Sequence, residues 1–146
     1  MNRFNIKKYL YEHIPITKAL GVKALVFTEK EVKFWAPLSN NINHRSSAFG
    51  GSISSLLITT GWSYLRLLFN EAEPVPKIVI GHSDTDYLKP ITGDFISELI
   101  IPEKEELERF LEMYGRFGKA RITLYAQIRE GKTIFATFKG DYVVIA

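Results

Sequence analysis

Hydrophobic residues recur along this chain with two different periods, and the changes between them divide it into elements. Ile53, Leu56, Leu57, Thr60, Gly61, Tyr64, Leu65 and Leu68 fall at i, i+3, i+4, i+7 spacing, the stripe of a long helix. The opposite face carries Ser54, Ser55, Thr59 and Trp62, small or apolar, so cover on more than one side is expected. Period-two alternation appears late in the chain. Ala120, Ile122, Leu124, Ala126 and Ile128 alternate with Arg121, Thr123, Tyr125, Gln127 and Arg129. After Glu130-Gly131, Ile134, Ala136 and Phe138 alternate with Thr133, Thr137 and Lys139. This predicts a hairpin with one buried and one wetter face.

The other segments read more briefly. Asn2 to His13 predicts a short helix with Phe4, Lys8 and Tyr11 near one face, and Gly21 reads as the stop of a helical turn. Val22–Phe27 and Val32–Ala36 predict two strands around a Glu29-Lys30 turn, with Pro37 ending the second. Asn40 to Gly51 is polar and glycine-containing, a loop, with the long helix expected from Ser52 onward. Lys77–Leu88 and Phe95–Ile101 predict further strands. Pro102 stands at a helix start with Glu103, Glu105 and Glu106 in its first turn, and Leu107, Phe110, Leu111 and Tyr114 form its apolar stripe. About six strands and one long apolar helix indicate an α+β class, an antiparallel sheet wrapped around that helix.

Composition narrows the function classes. At 146 residues, with 46% hydrophobic and 24% charged, the chain fits one globular domain, 1–146. The net charge of +3 comes without a dense basic stripe, so no nucleic-acid partner is expected. Lys7-Lys8 and the group Arg116, Lys119 and Arg121 are short basic clusters. They read as solvated surface or as contacts for anionic phosphates or an acidic protein. The absence of cysteine excludes disulfides, a thiol nucleophile and thiolate metal sites, and is compatible with the cytoplasm. Ile53–Phe69, the most apolar stretch, contains Ser, Thr and Arg66 and is too short to span a membrane. No His, Asp or Glu spacing suggests a metal, no Gly-x-Ser-x-Gly elbow is present, and no cofactor is expected.

The chemistry concentrates where the loop meets the long helix, in Asn43-His44-Arg45-Ser46-Ser47-Ala48-Phe49-Gly50-Gly51-Ser52. Paired glycines allow a ligand close to the backbone. First-turn N–H groups have no intrahelical acceptor and, with the helix dipole, offer partial positive charge to an oxygen. Such an arrangement suits a carbonyl that becomes an oxyanion. Elsewhere, alternation puts His82, Asp84 and Asp86 on one face of their strand and Ser83, Thr85 and Tyr87 on the other. Three ionisable groups on one strand face read either as a solvated face or as part of a site. His44 is either exposed or a base or ligand contact. Trp35 and Trp62 read as core or interface residues rather than cofactor stacks.

These residues resemble hotdog-fold thioesterases. In that pattern Asn, two residues, a small residue, two residues, His, Gly and Gly open the central helix; Asn43, Ser46, Gly50 and Gly51 match it. The chain more specifically resembles the thioesterase-like domain found behind an acetyltransferase domain in certain bacterial proteins. That likeness rests on three stretches: Ile14–Gly21; Ala36-Pro37-Leu38 leading to Asn43-His44; and Phe49–Ser52 running to Thr60-Gly61-Trp62. Tyr87-Leu88-Lys89-Pro90 resembles a strand end common in hotdog proteins. The departures matter as well. The pattern's His is Phe49, which disfavours a dehydratase, and the acid usual eight or nine positions further on is replaced by Leu57 and Ile58.

The resemblance implies a hotdog fold acting on acyl-CoA or acyl-carrier protein, with sites shared in a homo-oligomer, dimer or tetramer. The absence of cysteine and of a membrane-length apolar stretch adds the expectation of a cytoplasmic protein with no membrane partner. Asn43, Gly50 and Gly51 would hold the thioester carbonyl. His82 or Asp84 would activate water, since their side matches the site-lining face of related thioesterases. His44, Phe49, Ser52 and Thr60 are candidate substrate contacts. Two alternatives remain open: decarboxylation of a malonyl thioester on carrier protein in fatty-acid initiation, and binding of acyl thioesters without turnover.

Overall fold

The computed structural model describes residues 4–146, so Asn2 and Arg3 of the predicted first helix lie outside it. Short helices α1 (Ile6–His13) and α2 (Ile16–Leu20) lead into strands β1 (Lys23–Phe27) and β2 (Val32–Ala36). Then come α3 (Leu38–Asn41), the long α4 (Gly50–Leu68), β3 (Lys77–Tyr87), β4 (Phe95–Ile100), α5 (Lys104–Phe117), β5 (Lys119–Glu130) and β6 (Thr133–Ile145). The strands form one sheet in the order β1-β2-β4-β5-β6-β3, every neighbouring pair antiparallel. The expected α+β arrangement, an antiparallel sheet around a long helix, is the one observed.

The apolar stripe of α4 faces the sheet. Ile53, Leu56, Leu57, Tyr64 and Leu65 are buried against the alternating inward residues of β5 and β6, Ala120 to Ile128 and Ala136 to Val144. The other face of α4 is covered too, since beyond Gly51 none of its residues is exposed. There α1 lies over Arg66, which is only 7% exposed. The guanidinium carbon stands 4.6 Å from the Phe4 ring centroid and 4.9 Å from that of Tyr9. Cation–π attraction to two rings offsets part of the cost of burying that charge. The Gly21 stop is in place, a left-handed C-cap for α2 at φ 74°. No helix among the described residues is long and apolar enough to cross a membrane.

Some sequence expectations shift. The long helix begins at Gly50 rather than Ser52, because glycine carries no side chain to resist the first turn and Phe49 precedes it in an extended conformation. The buried residues of α1 are Ile6 and Leu10, while Phe4 and Tyr11 are half-buried and Lys8 is exposed. Glu103 caps α5 from outside, leaving Glu105 and Glu106 as its first-turn acids. Ile134 is exposed because the register shifts at Phe135: Ala136 pairs with Ile128 on the core side, but Ile134 pairs with Arg129 on the outer face.

Two contacts fasten α4 to the sheet. Trp62 Nε1 donates to the Ile78 carbonyl of β3 at 2.9 Å. The Tyr142 hydroxyl of β6 donates to the Ile58 carbonyl at 2.6 Å. Tyr142 is fully buried, and burial raises the pKa of its hydroxyl, keeping the donor proton in place. Gly61 makes the close approach possible, since a Cβ there would stand 2.5 Å from the Tyr142 hydroxyl oxygen. On helix propensity alone, Gly61→Ala would stabilise by about 1 kcal/mol. Overpacking against Tyr142 reverses the sign, to a loss of about 1–3 kcal/mol in urea unfolding. Combining it with Tyr142→Phe should cost less than the sum of the single changes, because the two substitutions share one contact.

Candidate active site at the entrance of the central helix

The segment between α3 and α4 is built by hydrogen bonds to its own backbone. Asn41, buried at the end of α3, donates to the carbonyls of Leu20 and Pro37 at 2.9 and 2.8 Å. An antiparallel bridge joins Ile42 and Ala48 and closes a tight loop between them. Asn43 fills that loop. Its Oδ1 accepts from the amides of Arg45 (2.8 Å) and Ser47 (3.1 Å), and its Nδ2 donates to Ser47 Oγ (3.0 Å) and the Ala48 carbonyl (3.5 Å). Ser46 takes up a left-handed conformation at φ 60° to complete the bend. The sequence reading placed Asn43 on a substrate carbonyl. Here both ends of its amide are occupied within residues 43–48, so what it supplies is the shape of the loop.

That shape sets the helix entrance. The Phe49 amide donates to the Asn41 carbonyl at 2.7 Å. The Phe49 carbonyl accepts from the amides of Ser52 (3.0 Å) and Ile53 (3.1 Å). No side chain caps the helix. The Gly50 and Gly51 N–H groups therefore have no acceptor among the described residues. Beside Gly50 opens a cleft of about 350 Å³, lined by Ser47, Ala48, Gly50, Ile53 and the Tyr87–Ile91 turn. The Tyr87 ring packs over Gly50, where a Cβ would lie 3.5 Å from it, and the Tyr87 hydroxyl donates to the Gly50 carbonyl at 3.1 Å. The Phe49 ring covers Gly51 so closely that a Cβ there would be 2.5 Å away. Phe49, Tyr87 and Leu88 are all exposed and form an apolar rim.

The remaining predicted residues separate. His44 is exposed on the loop, and Ser52 is half-buried in the first helical turn. Thr60 is fully buried, with Oγ1 2.8 Å from both the Leu56 carbonyl and Ser97 Oγ, so it is core and not a contact at the entrance. His82 and Asp84 pair with each other at 3.2 Å and are solvent-exposed. They do not face the cleft, because β3 bulges at Gly81: Ile80 pairs with Tyr142, but the next paired residue, His82, stands opposite Asp141. Beyond the bulge Ser83, Thr85 and Tyr87 oppose Gly140, Phe138 and Ala136, which are buried on the helix side. His82, Asp84 and Asp86 thus turn to the outer face. An isolated glycine inside a strand pattern is the signal for such a bulge. The sequence reading noted Tyr87 but placed it on the wrong face.

A wider groove, about 720 Å³, lies between α5 and the outer side of β5 and β6, lined in part by Arg109, Lys119 and Arg121. Lys119 pairs with Ile145, at the opposite end of the sheet from the Tyr87–Ala136–Ile128 row beside the cleft. It lies away from the helix entrance, at the other end of the sheet from the Gly50 amide.

Comparisons with known proteins bear on the family and the fold. The family described as "Putative thioesterase (yiiD_Cterm)" matches residues 4–146. Among solved structures, a protein of unknown function from Chlorobaculum tepidum TLS is similar at 28% identity and TM-score 0.89, covering 96% of this chain and 91% of that one. A "putative thioesterase" from Shewanella oneidensis is similar at 27% identity and TM-score 0.81, covering 97% and 95%. A thioesterase from Haemophilus influenzae, at 14% identity and TM-score 0.72 over 99% and 92%, is alike in fold alone. The architecture is the hotdog fold that the sequence resemblance implied.

Replacing Asn43 tests its place in the loop. Asn43→Ala leaves two amides without their acceptor and should cost about 1–2 kcal/mol of stability. Hydrogen exchange at the Arg45 and Ser47 amides should accelerate while the amides of β5 and β6 keep their protection. Unchanged exchange at 45 and 47 would contradict the loop-closing role.

Proposed function

The chain belongs to the "Putative thioesterase (yiiD_Cterm)" family, and from that premise we propose that it hydrolyses an acyl thioester carried by CoA or by an acyl-carrier protein. One observation carries the reading: the Gly50 and Gly51 amides stand without acceptors at the positive end of α4, where Gly50 lines an open cleft. The thioester oxygen sits between these two donors. When water attacks, the carbonyl carbon becomes tetrahedral and the oxygen gains negative charge. Donors already fixed in place stabilise that charge without reorganising. The rim of Phe49, Tyr87 and Leu88 takes the apolar part of the substrate. Such substrates are cytoplasmic metabolites, and a cytoplasmic location goes with the proposal.

A second copy of the chain completes the cleft. β3 is an edge strand, paired only with β6. Past Gly81 its helix-side residues Ser83 and Tyr87 remain exposed, whereas Phe138 and Ala136 opposite that stretch are buried. An apolar rim and an uncovered inner strand face call for a partner surface. Light scattering should return a mass of two or four chains; a monomer at micromolar concentration would count against completion by a second copy.

A different reading, binding without turnover, is favoured by one observation. The residues lining the cleft include no carboxylate and no imidazole. The helix positions where an acid is usual are Leu57, buried, and Ile58. In the hydrolase reading the water is activated by His44 or by a group from the second copy.

Gly50→Pro separates these outcomes. Phe49 already has φ −64° and ψ 132°, an extended conformation that suits the residue before proline. Proline is also well tolerated at the first helical position, so the change deletes one N–H and little else. With purified protein and a panel of acyl-CoAs, thiol release should be measurable, and Gly50→Pro should lower kcat by about 10²-fold with the fold intact. A wild-type rate in Gly50→Pro would remove the assigned donors. Tight acyl-CoA binding with no thiol release over hours would favour the binding module.

A further inference from the structure

The Gly50 carbonyl and the Gly51 N–H are the two ends of one planar peptide, so whatever turns one turns the other. This peptide lies between two glycines, the residues that restrain φ and ψ least. The helical ladder offers the Gly50 carbonyl to the amide of Ser54, four residues on, which restrains the plane from one side; a second contact from outside the helix can fix it further. Tyr87 is placed to do that. Its hydroxyl donates to the Gly50 carbonyl at 3.1 Å, from a strand outside the helix, and its ring packs against the same glycine.

We propose that Tyr87 is a positioning residue: by holding the Gly50 carbonyl, its hydroxyl fixes the Gly50–Gly51 peptide plane and aims the Gly51 N–H at the substrate oxygen. This rests on the hydrolase reading above and deepens it. Two effects follow from the one hydrogen bond. The plane loses rotational freedom, so the donor is preorganised. A hydrogen bond accepted at the carbonyl also polarises the peptide and makes its N–H a stronger donor. The device depends on the Gly81 bulge. With unbroken alternation from Ile80, residue 87 would point to the outer face with Val79, and its hydroxyl would not reach the helix. The extra residue turns Tyr87 inward and His82 and Asp84 outward in a single step.

The test uses Tyr87→Phe, which keeps the ring on Gly50 and removes only the hydroxyl. The first measurement is the Gly51 amide resonance of ¹⁵N-labelled protein. In Tyr87→Phe it should shift more than any amide outside the immediate contacts of residue 87, and its exchange with solvent should quicken. The second is steady-state hydrolysis of an acyl-CoA. There kcat should fall about 3- to 10-fold, part of what loss of a whole oxyanion donor costs, with KM within about twofold. A Gly51 resonance that does not move overturns the proposal, and so does a moved resonance with unchanged kcat. If the wild-type protein releases no thiol from any acyl-CoA, the hydrolase reading fails on its own, and the amide measurement alone decides whether Tyr87 sets the peptide plane.

Discussion

The candidate site depends on how the first turn of α4 distributes its backbone hydrogen bonds. A helix begins with four N–H groups that lack intrahelical acceptors. Here the Phe49 amide is taken by Asn41, and the Ser52 amide turns back to the Phe49 carbonyl. The pair left over belongs to Gly50 and Gly51. What keeps them free is the residue at the cap. Serine, threonine, aspartate or asparagine there would supply an oxygen to the first-turn amides and stabilise the helix by about 1 kcal/mol. Phe49 has no such oxygen, so that stabilisation is forgone and the donors stay available. Burial of the α4 stripe under the sheet outweighs the missing cap.

The fold was legible in the sequence wherever burial is one-sided and continuous. The α4 stripe and most of the alternation of β5 and β6 lie where the pattern put them, the exception being Ile134 beyond the register shift near the turn. The start of α4 was less legible, because Gly50 and Gly51 read as loop and instead form its first turn. Legibility ended where a single residue changes meaning with its neighbours. Thr60 belongs to the same stripe as Leu56 and Tyr64, and its hydroxyl is satisfied inside the core by Leu56 and Ser97. Asn43 carries a residue type that can either present an amide to a ligand or close a turn, and only the positions of Arg45, Ser47 and Ala48 decide between them. Arg66 read as an interruption of an apolar helix and proves to be buried beneath the rings of Phe4 and of Tyr9 in α1, a contact no local pattern announces.

β3 is the instructive failure. Strand parity carries across an element only while every residue is paired, and one unpaired residue inverts all that follow. With even alternation, His82 and Asp84 would share a face with Ile78 and Ile80, and a titratable pair on the helix side would be a natural base. Gly81 breaks that inheritance. Ile78 and Ile80 stay on the core side, while the imidazole and the carboxylate go to the solvated face, where polar groups have little desolvation to overcome. The exchange is physically favourable for both halves of the strand. The upper half keeps its apolar contacts and the Trp62 bond to the Ile78 carbonyl; the lower half avoids burying charge and brings a tyrosine to the helix.

The same inversion shapes what the site can do. A helix-side strand face carrying Ser83, Thr85 and Tyr87 is polar without being charged, and it ends at an edge with unpaired backbone. Under the proposed hydrolysis, a single chain would polarise the thioester carbonyl from one side, with no carboxylate or imidazole among the residues lining the cleft. Polarisation alone lowers the barrier to attack, but water at neutral pH is a poor nucleophile unless a group accepts its proton. The rate of any hydrolysis is therefore set less by the glycines than by what the uncovered half of β3 meets. If a second copy brings an imidazole or carboxylate there, the entrance is an active site. If it brings only apolar surface, the same donors make a receptor that holds the acyl thioester and leaves it intact.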